Sequence, residues 1–202
     1  MPKNKKILNK VRLENFSDGV IAILITILVM GFDVPDDFTT KDYSMLELLK
    51  FLTPQLIPYA ISFLVIAVHL VNHHALFSKM KATDSRFVWL NLLFLFSLSL
   101  IVYPTALLGQ GHNVETATKL LVSAYFFKAI TFRFLHHYAI YKSGLYETSL
   151  TKKQLRNISI ISWVKGPLVE IVAFFLIFID YRIALGLIFV VTLTYLIPFK
   201  SK

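Results

Sequence analysis

Cysteine is absent from the 202 residues. That excludes disulfides and every thiolate metal centre, while saying little about compartment. Charge is also scarce, at 16% of residues, and it is lopsided: 12 acidic side chains against 21 lysines and arginines, a formal net charge of +9. Glycine and proline number only 7 each and are scattered. No Gly-rich nucleotide loop, HExxH helix or pair of catalytic carboxylates can be found, so an enzyme is not expected. Internal repeats, low-complexity stretches and a polar segment long enough for a soluble domain are missing too.

Hydrocarbon is what remains. The chain is 56% hydrophobic and 14% aromatic, with a mean hydropathy of +0.65. That composition makes the bilayer its solvent and membrane lipids its immediate partners. In so apolar a chain the excess of basic residues reads as membrane-edge charge, and nucleic acid is not an expected partner. The basic start MPKNKKILNK precedes an apolar run, but the polar ENFSD block separates them and no small-x-small cleavage site follows Met30. An uncleaved first membrane helix is expected.

Six apolar segments, approximately 12–32, 46–71, 88–109, 116–140, 158–179 and 182–199, are each long enough to cross a bilayer. Residues 1–202 thus read as one all-α, multi-pass membrane domain of six transmembrane helices. Pro54 and Pro58 predict that the second helix starts near Pro54 or bends there. Lysines and arginines crowd the N-terminus, the second-to-third and fourth-to-fifth connections, and the C-terminus. Asp33, Asp36, Asp37 and Asp42 crowd the first alternate connection instead. The positive-inside rule then places both termini in the cytoplasm.

Polar residues inside spans mark packing, water or function. Asp18 either caps its own helix start or belongs to a buried polar knot joined by Ser17, His73 and Asn91. His69 and His73 have zinc-ligand spacing, yet nothing nearby completes a metal site. Hydrogen bonding of His73 to Ser17 or Asp18, or plain interfacial snorkelling, is the simpler expectation. His136 and His137 read as headgroup contacts at the same interface. Lys128 and Arg133 in the fourth span, with Lys165 and Glu170 in the fifth, call for pairing between helices or for a transport role. Gly19, Ile23, Ile27 and Met30 form a stripe on the first helix, with Thr26 beside it. Periodicity alone leaves open whether that stripe faces lipid, a neighbour or a pore.

Arg12-x-x-x-Phe16-Ser17-Asp18, followed by GVIAI, resembles the RxxxFSD signature of the lysosomal and endosomal transmembrane potassium-channel family. Its bacterial branch, with one six-helix repeat per chain, is the more specific likeness. His73 before Leu76-Phe77, Thr83-Asp84, Trp89-Leu90-Asn91 and Pro104 are similar as well. The resemblance implies a potassium-selective homotetramer in the bacterial plasma membrane, with the pore lined by four first helices. It implies that Ile23 forms the narrowest ring, with Ile27 and Met30 further along and Thr26 as a polar layer. It assigns Arg12, Phe16, Ser17, Asp18, His73 and Asn91 a structural role in holding the pore helix. Potassium is then the permeant ion and no cofactor is implied.

Elementary physics agrees with this picture. The chain has no TVGYG segment, so a carbonyl filter is excluded, whereas an isoleucine ring offers no ligands and gates by dewetting. Selectivity by partial dehydration favours potassium only modestly. Asp33, Asp36 and Asp37, repeated around a ring, would concentrate cations at the outer mouth; solvated loop charge is an equally good reading. The alternative function is a small proton- or cation-coupled secondary transporter, which the unsymmetrical prolines disfavour.

Overall fold

A computed structural model describes residues 9–142, 145–146 and 167–194. Helix α1 (Lys10–Ile27) is capped by the Asn9 side chain, which accepts from the amides of Val11 and Arg12, and tightens into a 3-10 turn over Leu28–Gly31. Helix α2 (Met45–Ser78) opens on a reciprocal Ser44–Glu47 capping box. That box starts the helix well before Pro54, and the helix continues through both prolines, so the alternative of a start near Pro54 is corrected. Pro54 and Pro58 are four apart and share one face, so the two missing N–H groups fall on a single side of the helix.

The third apolar segment is interrupted. Helix α3 (Ser85–Ser99) stops and α4 (Val102–Gly109) begins after a turn at 100–101. Pro104 explains the break: it cannot donate to the carbonyl of Leu100, and its ring crowds that carbonyl. Helix α5 (Val114–His137) starts on Asn113, held in the left-handed region at φ 35°, and runs into a π-turn at Tyr138–Lys142. Helices α6 (Pro167–Leu176) and α7 (Tyr181–Thr194) form a hairpin around Asp180, whose side chain accepts from the amide of Arg182.

By length and apolarity, Lys10–Gly31, Met45–Ser78 and Ser85–Gly109 each suffice to cross a membrane. Helix α5 is long enough but carries Glu115, Lys119, Lys128 and Arg133. The start of the fifth predicted span (158–166) and the end of the sixth (195–199) lie outside the described residues, as do Lys165 and most of the basic flanks.

Helix α3 packs between α1 and α5, α2 lies against α1 and α4, and α6 and α7 cover the far side of α5. The core includes Ile21, Ile66, Phe77, Phe87, Phe94, Leu98, Leu121 and Tyr125, all fully buried. Much of the remaining apolar surface faces outward, including Trp89, Phe96 and Tyr103 on the α3–α4 side. Outward apolar residues are what a lipid or subunit environment requires.

Candidate functional site

Helix α1 has two apolar faces with different fates. Ser17, Ile21, Leu24 and Leu28 recur at helical spacing and are buried against the protomer. On the opposite side Gly19, Ile23, Thr26, Ile27 and Met30 are exposed, with Ile23 at 56% and Met30 at 79%. A Cβ added to Gly19 would meet nothing within 4 Å. The stripe singled out in the sequence is therefore the face that α1 turns away from its own chain. Thr26 spends its hydroxyl hydrogen on the Ile23 carbonyl at 2.8 Å, leaving its lone pairs outward.

The buried face is tied down by a polar relay at one end. Asn91 Nδ2 donates to Ser17 Oγ at 2.7 Å, and Ser17 donates in turn to the Leu13 carbonyl at 2.8 Å. His73 Nε2 donates to Asn91 Oδ1 at 2.8 Å. Ser17, His73 and Asn91 are all fully buried, so α1, α2 and α3 meet at three hydrogen-bonded polar side chains, with His73 Nδ1 left unbonded. Asn91 is the bridge: the expected direct bond from His73 to Ser17 is replaced by this two-step path. Asp18 Oδ1 stands 4.0 Å from His73 Nδ1, too far for a hydrogen bond, and neither atom has another partner. With Nε2–H committed to Asn91, that contact becomes an ion pair only when the imidazole carries a second proton. Arg12 and Phe16 lie on the exposed side of α1, away from the relay. Glu14 Oε1 stands 3.7 Å from His74 Nδ1. His69, the other half of the zinc-like spacing, is bonded to the Val65 carbonyl at 2.8 Å and packs edge-on to Phe132.

The opposite end of α1 is held by a device that periodicity does not reveal. Gln55, 3% exposed, accepts from the Asp33 amide at 2.7 Å and donates to the Asp33 carbonyl at 3.3 Å. Gln110 donates to the Gly31 carbonyl at 3.2 Å. An amide inside an apolar helix, as Gln55 is, was the available signal, since a buried one must find partners. Beyond the clasp, Asp33, Asp36 and Asp37 are exposed on the connection to α2. Tyr43 folds back over it, donating to Asp37 and stacking on Phe38 with ring centroids 6.0 Å apart. The bond to Asp37 pushes the Tyr43 phenol up to about 12.

A third polar group lies among α2, α5 and α6. Lys128, fully buried, meets Glu170 at 2.5 Å, so the expected pairing between helices is present. The pair lines a cavity of about 300 Å³ together with His69, Arg133 and His136. Arg133 Nη1 and His136 Nδ1 are 3.4 Å apart, so His136 turns inward, whereas His137 is exposed. Nearby, Ser62 bonds both Thr105 (2.7 Å) and Tyr125 (2.8 Å), and Ser97 bonds Thr131 at 2.7 Å. Asp84 caps α3 through the Phe87 amide and accepts from the Tyr138 hydroxyl at 2.7 Å.

Comparison with known proteins agrees with this geometry. Residues 12–101, which carry α1, the relay and the clasp residue Gln55, match the family model described as the endosomal/lysosomal potassium channel TMEM175. A potassium channel of Chryseobacterium sp. strain P1-3 is 33% identical over 198 residues, covering 96% of this chain and 95% of the relative. A potassium channel of Chamaesiphon minutus is 32% identical over 192 residues, covering 90% and 91%. The crystal structure of a lysosomal potassium-selective channel TMEM175 homologue from Chamaesiphon minutus superposes with a TM-score of 0.80 at 30% identity, covering 95% of this chain and 98% of that one. A multi-pass membrane chain that aligns with these relatives from end to end belongs to the bacterial branch of the TMEM175 channel family.

Proposed function

We propose that this chain is a potassium channel of the cell membrane, modestly selective for potassium over sodium, in which four copies surround a pore lined by α1. The observation that carries the reading is the division of α1 into a buried, polar-anchored face and an exposed apolar stripe through Ile23, Ile27 and Met30. One helix encloses nothing, so such a stripe becomes a conduit only in a ring of copies. Six spans with both termini cytoplasmic would put the Ser17–Asn91–His73 relay at the inner end and Asp33, Asp36 and Asp37 at the outer mouth. Ile23 is the constriction, with Ile27, Met30 and the polar Thr26 layer beyond it. The relay holds the helix within its own chain, and Arg12, Phe16 and Asp18 serve structure outside the relay rather than contacting ions. Potassium is the permeant species, lipid the surrounding medium, and neither cofactor nor nucleic acid takes part.

Bi-ionic reversal potentials on purified protein in planar bilayers test the proposal. Ile23→Asn widens and wets the ring; the expected result is a larger unitary conductance and a weaker potassium preference. An unchanged reversal potential under potassium/sodium conditions removes Ile23 from the constriction.

A coupled secondary transporter is the second reading, favoured by the Lys128–Glu170 pair in its cavity within one protomer. Discrete single-channel steps decide for the channel, and saturable coupled flux without steps decides for the transporter.

A further inference from the structure

The outer end of α1 has little intrinsic reason to hold one position. The α-helix gives way to the 3-10 turn Leu28–Gly31, and the last carbonyls of any helix lack internal donors. Here Gln110 supplies a donor to Gly31, and Gln55 bonds both backbone groups of Asp33, as a neighbouring strand would. Glycines bring the supporting helices close. A Cβ on Gly31 would stand 2.6 Å from Ala106 Cβ, and one on Gly109 would stand 3.3 Å from Gln55 Cα. The side of the turn bearing Leu28 is thereby pinned inward at 3% exposure, and Met30 is turned outward.

We propose that Gln55 and Gln110 are positioning residues for the outer mouth. By clasping Asp33 and Gly31 they set the radial position of Met30 and of the Asp33 carboxylate, and through them conductance and cation preference. This inference rests on the reading of α1 as the pore helix. A purely structural clasp would affect stability and leave permeation in the folded protein alone.

The test uses the absence of cysteine, which lets a single spin label at Met30→Cys report on that site alone. Gln55→Met keeps the side-chain length and deletes both bonds to Asp33. Gly31→Ala keeps every hydrogen-bonding group but places a methyl against Ala106. In label-bearing protein that still elutes as an assembled species, both changes are expected to sharpen the label's line shape as it gains mobility. In label-free protein both should change the potassium/sodium permeability ratio by about twofold or more. Ala106→Gly combined with Gly31→Ala should move both readouts back toward the parent. Parent-like line shapes, or a mobilised label with unchanged conductance and permeability ratio, overturn the proposal. If Gln55→Met does not fold, the Gly31→Ala and Ala106→Gly pair decides alone. If the parent protein itself passes no potassium current, the pore reading fails and takes the mouth role with it, while the line shapes still report whether the clasp exists.

Discussion

Asn91 is the residue on which the polar anchor of α1 turns. Its carbonyl and amide ends are both used, on His73 and Ser17, and all three side chains are buried. Asn91→Leu strands the buried His73 Nε2–H, at a cost of about 1–3 kcal/mol, and leaves Ser17 only its bond to the Leu13 carbonyl. A fall of several degrees or more in the thermal unfolding midpoint is expected, measured by fluorescence-detected size exclusion, and assembly should weaken with it. Asp18→Ala is expected to cost less stability than Asn91→Leu, because Asp18 has no hydrogen bond to lose and is 38% exposed in its side chain. If Asp18→Ala instead preserves the assembly but alters permeation, Asp18 belongs to the conduction path. The participants of this relay were legible as polar residues in apolar spans. Their order was not, because which of Ser17, Asp18 and Asn91 reaches His73 depends on the rotation of three helices.

At the scale of elements, the Lys128–Glu170 pair ties α5 to α6 across a partly open cavity. Removing one charge alone strands the other in an apolar setting, a loss of about 3–5 kcal/mol for buried pairs. Lys128→Met should therefore lower the unfolding midpoint strongly, and Lys128→Met with Glu170→Leu should recover much of it. A double variant as unstable as the single one would show that the cavity requires charge for another purpose, which the transporter reading supplies. Sequence spacing marked both residues as needing partners and put Lys165 and Glu170, five apart, on different faces, without saying which helix answers Lys128. Only the docking of α6 on α5 selects Lys128. Similarly, Pro104 was visible as a family-like residue late in the third span, yet the break it imposes between α3 and α4 emerged from the backbone.

On the scale of the whole molecule, charge is segregated. The acidic connection follows α1, while basic residues such as Lys79, Lys81 and Arg86 flank the end of α2 and the start of α3. If Asp33, Asp36 and Asp37 form a collar around the outer mouth, Asp33→Asn, Asp36→Asn and Asp37→Asn combined should reduce inward unitary current in dilute potassium. The reduction should vanish in about 1 M salt, where the Debye length falls to about 3 Å. Equal loss at both salt concentrations would indicate a structural change instead of a lost surface potential. The outward apolar residues of α1 and α3, Ile23 and Trp89 among them, remain without cover inside one protomer. Light scattering on the detergent-solubilised protein is expected to give a tetramer.

The amino-acid sequence by itself determined the solvent, the helical class and the polar residues that had to be accounted for. Apolar run length and the cost of unpaired charge in hydrocarbon act locally along the chain. The RxxxFSD stretch and its companions were enough to indicate the family. Tertiary structure alone decided which face of α1 is free, how Asn91 bridges Ser17 and His73, and that Gln55 and Gln110 grip the other end. Those outcomes depend on helix rotation and on close approach at Gly31 and Gly109, and residues from 17 to 110 come together to set them. Local periodicity contains no term for such contacts.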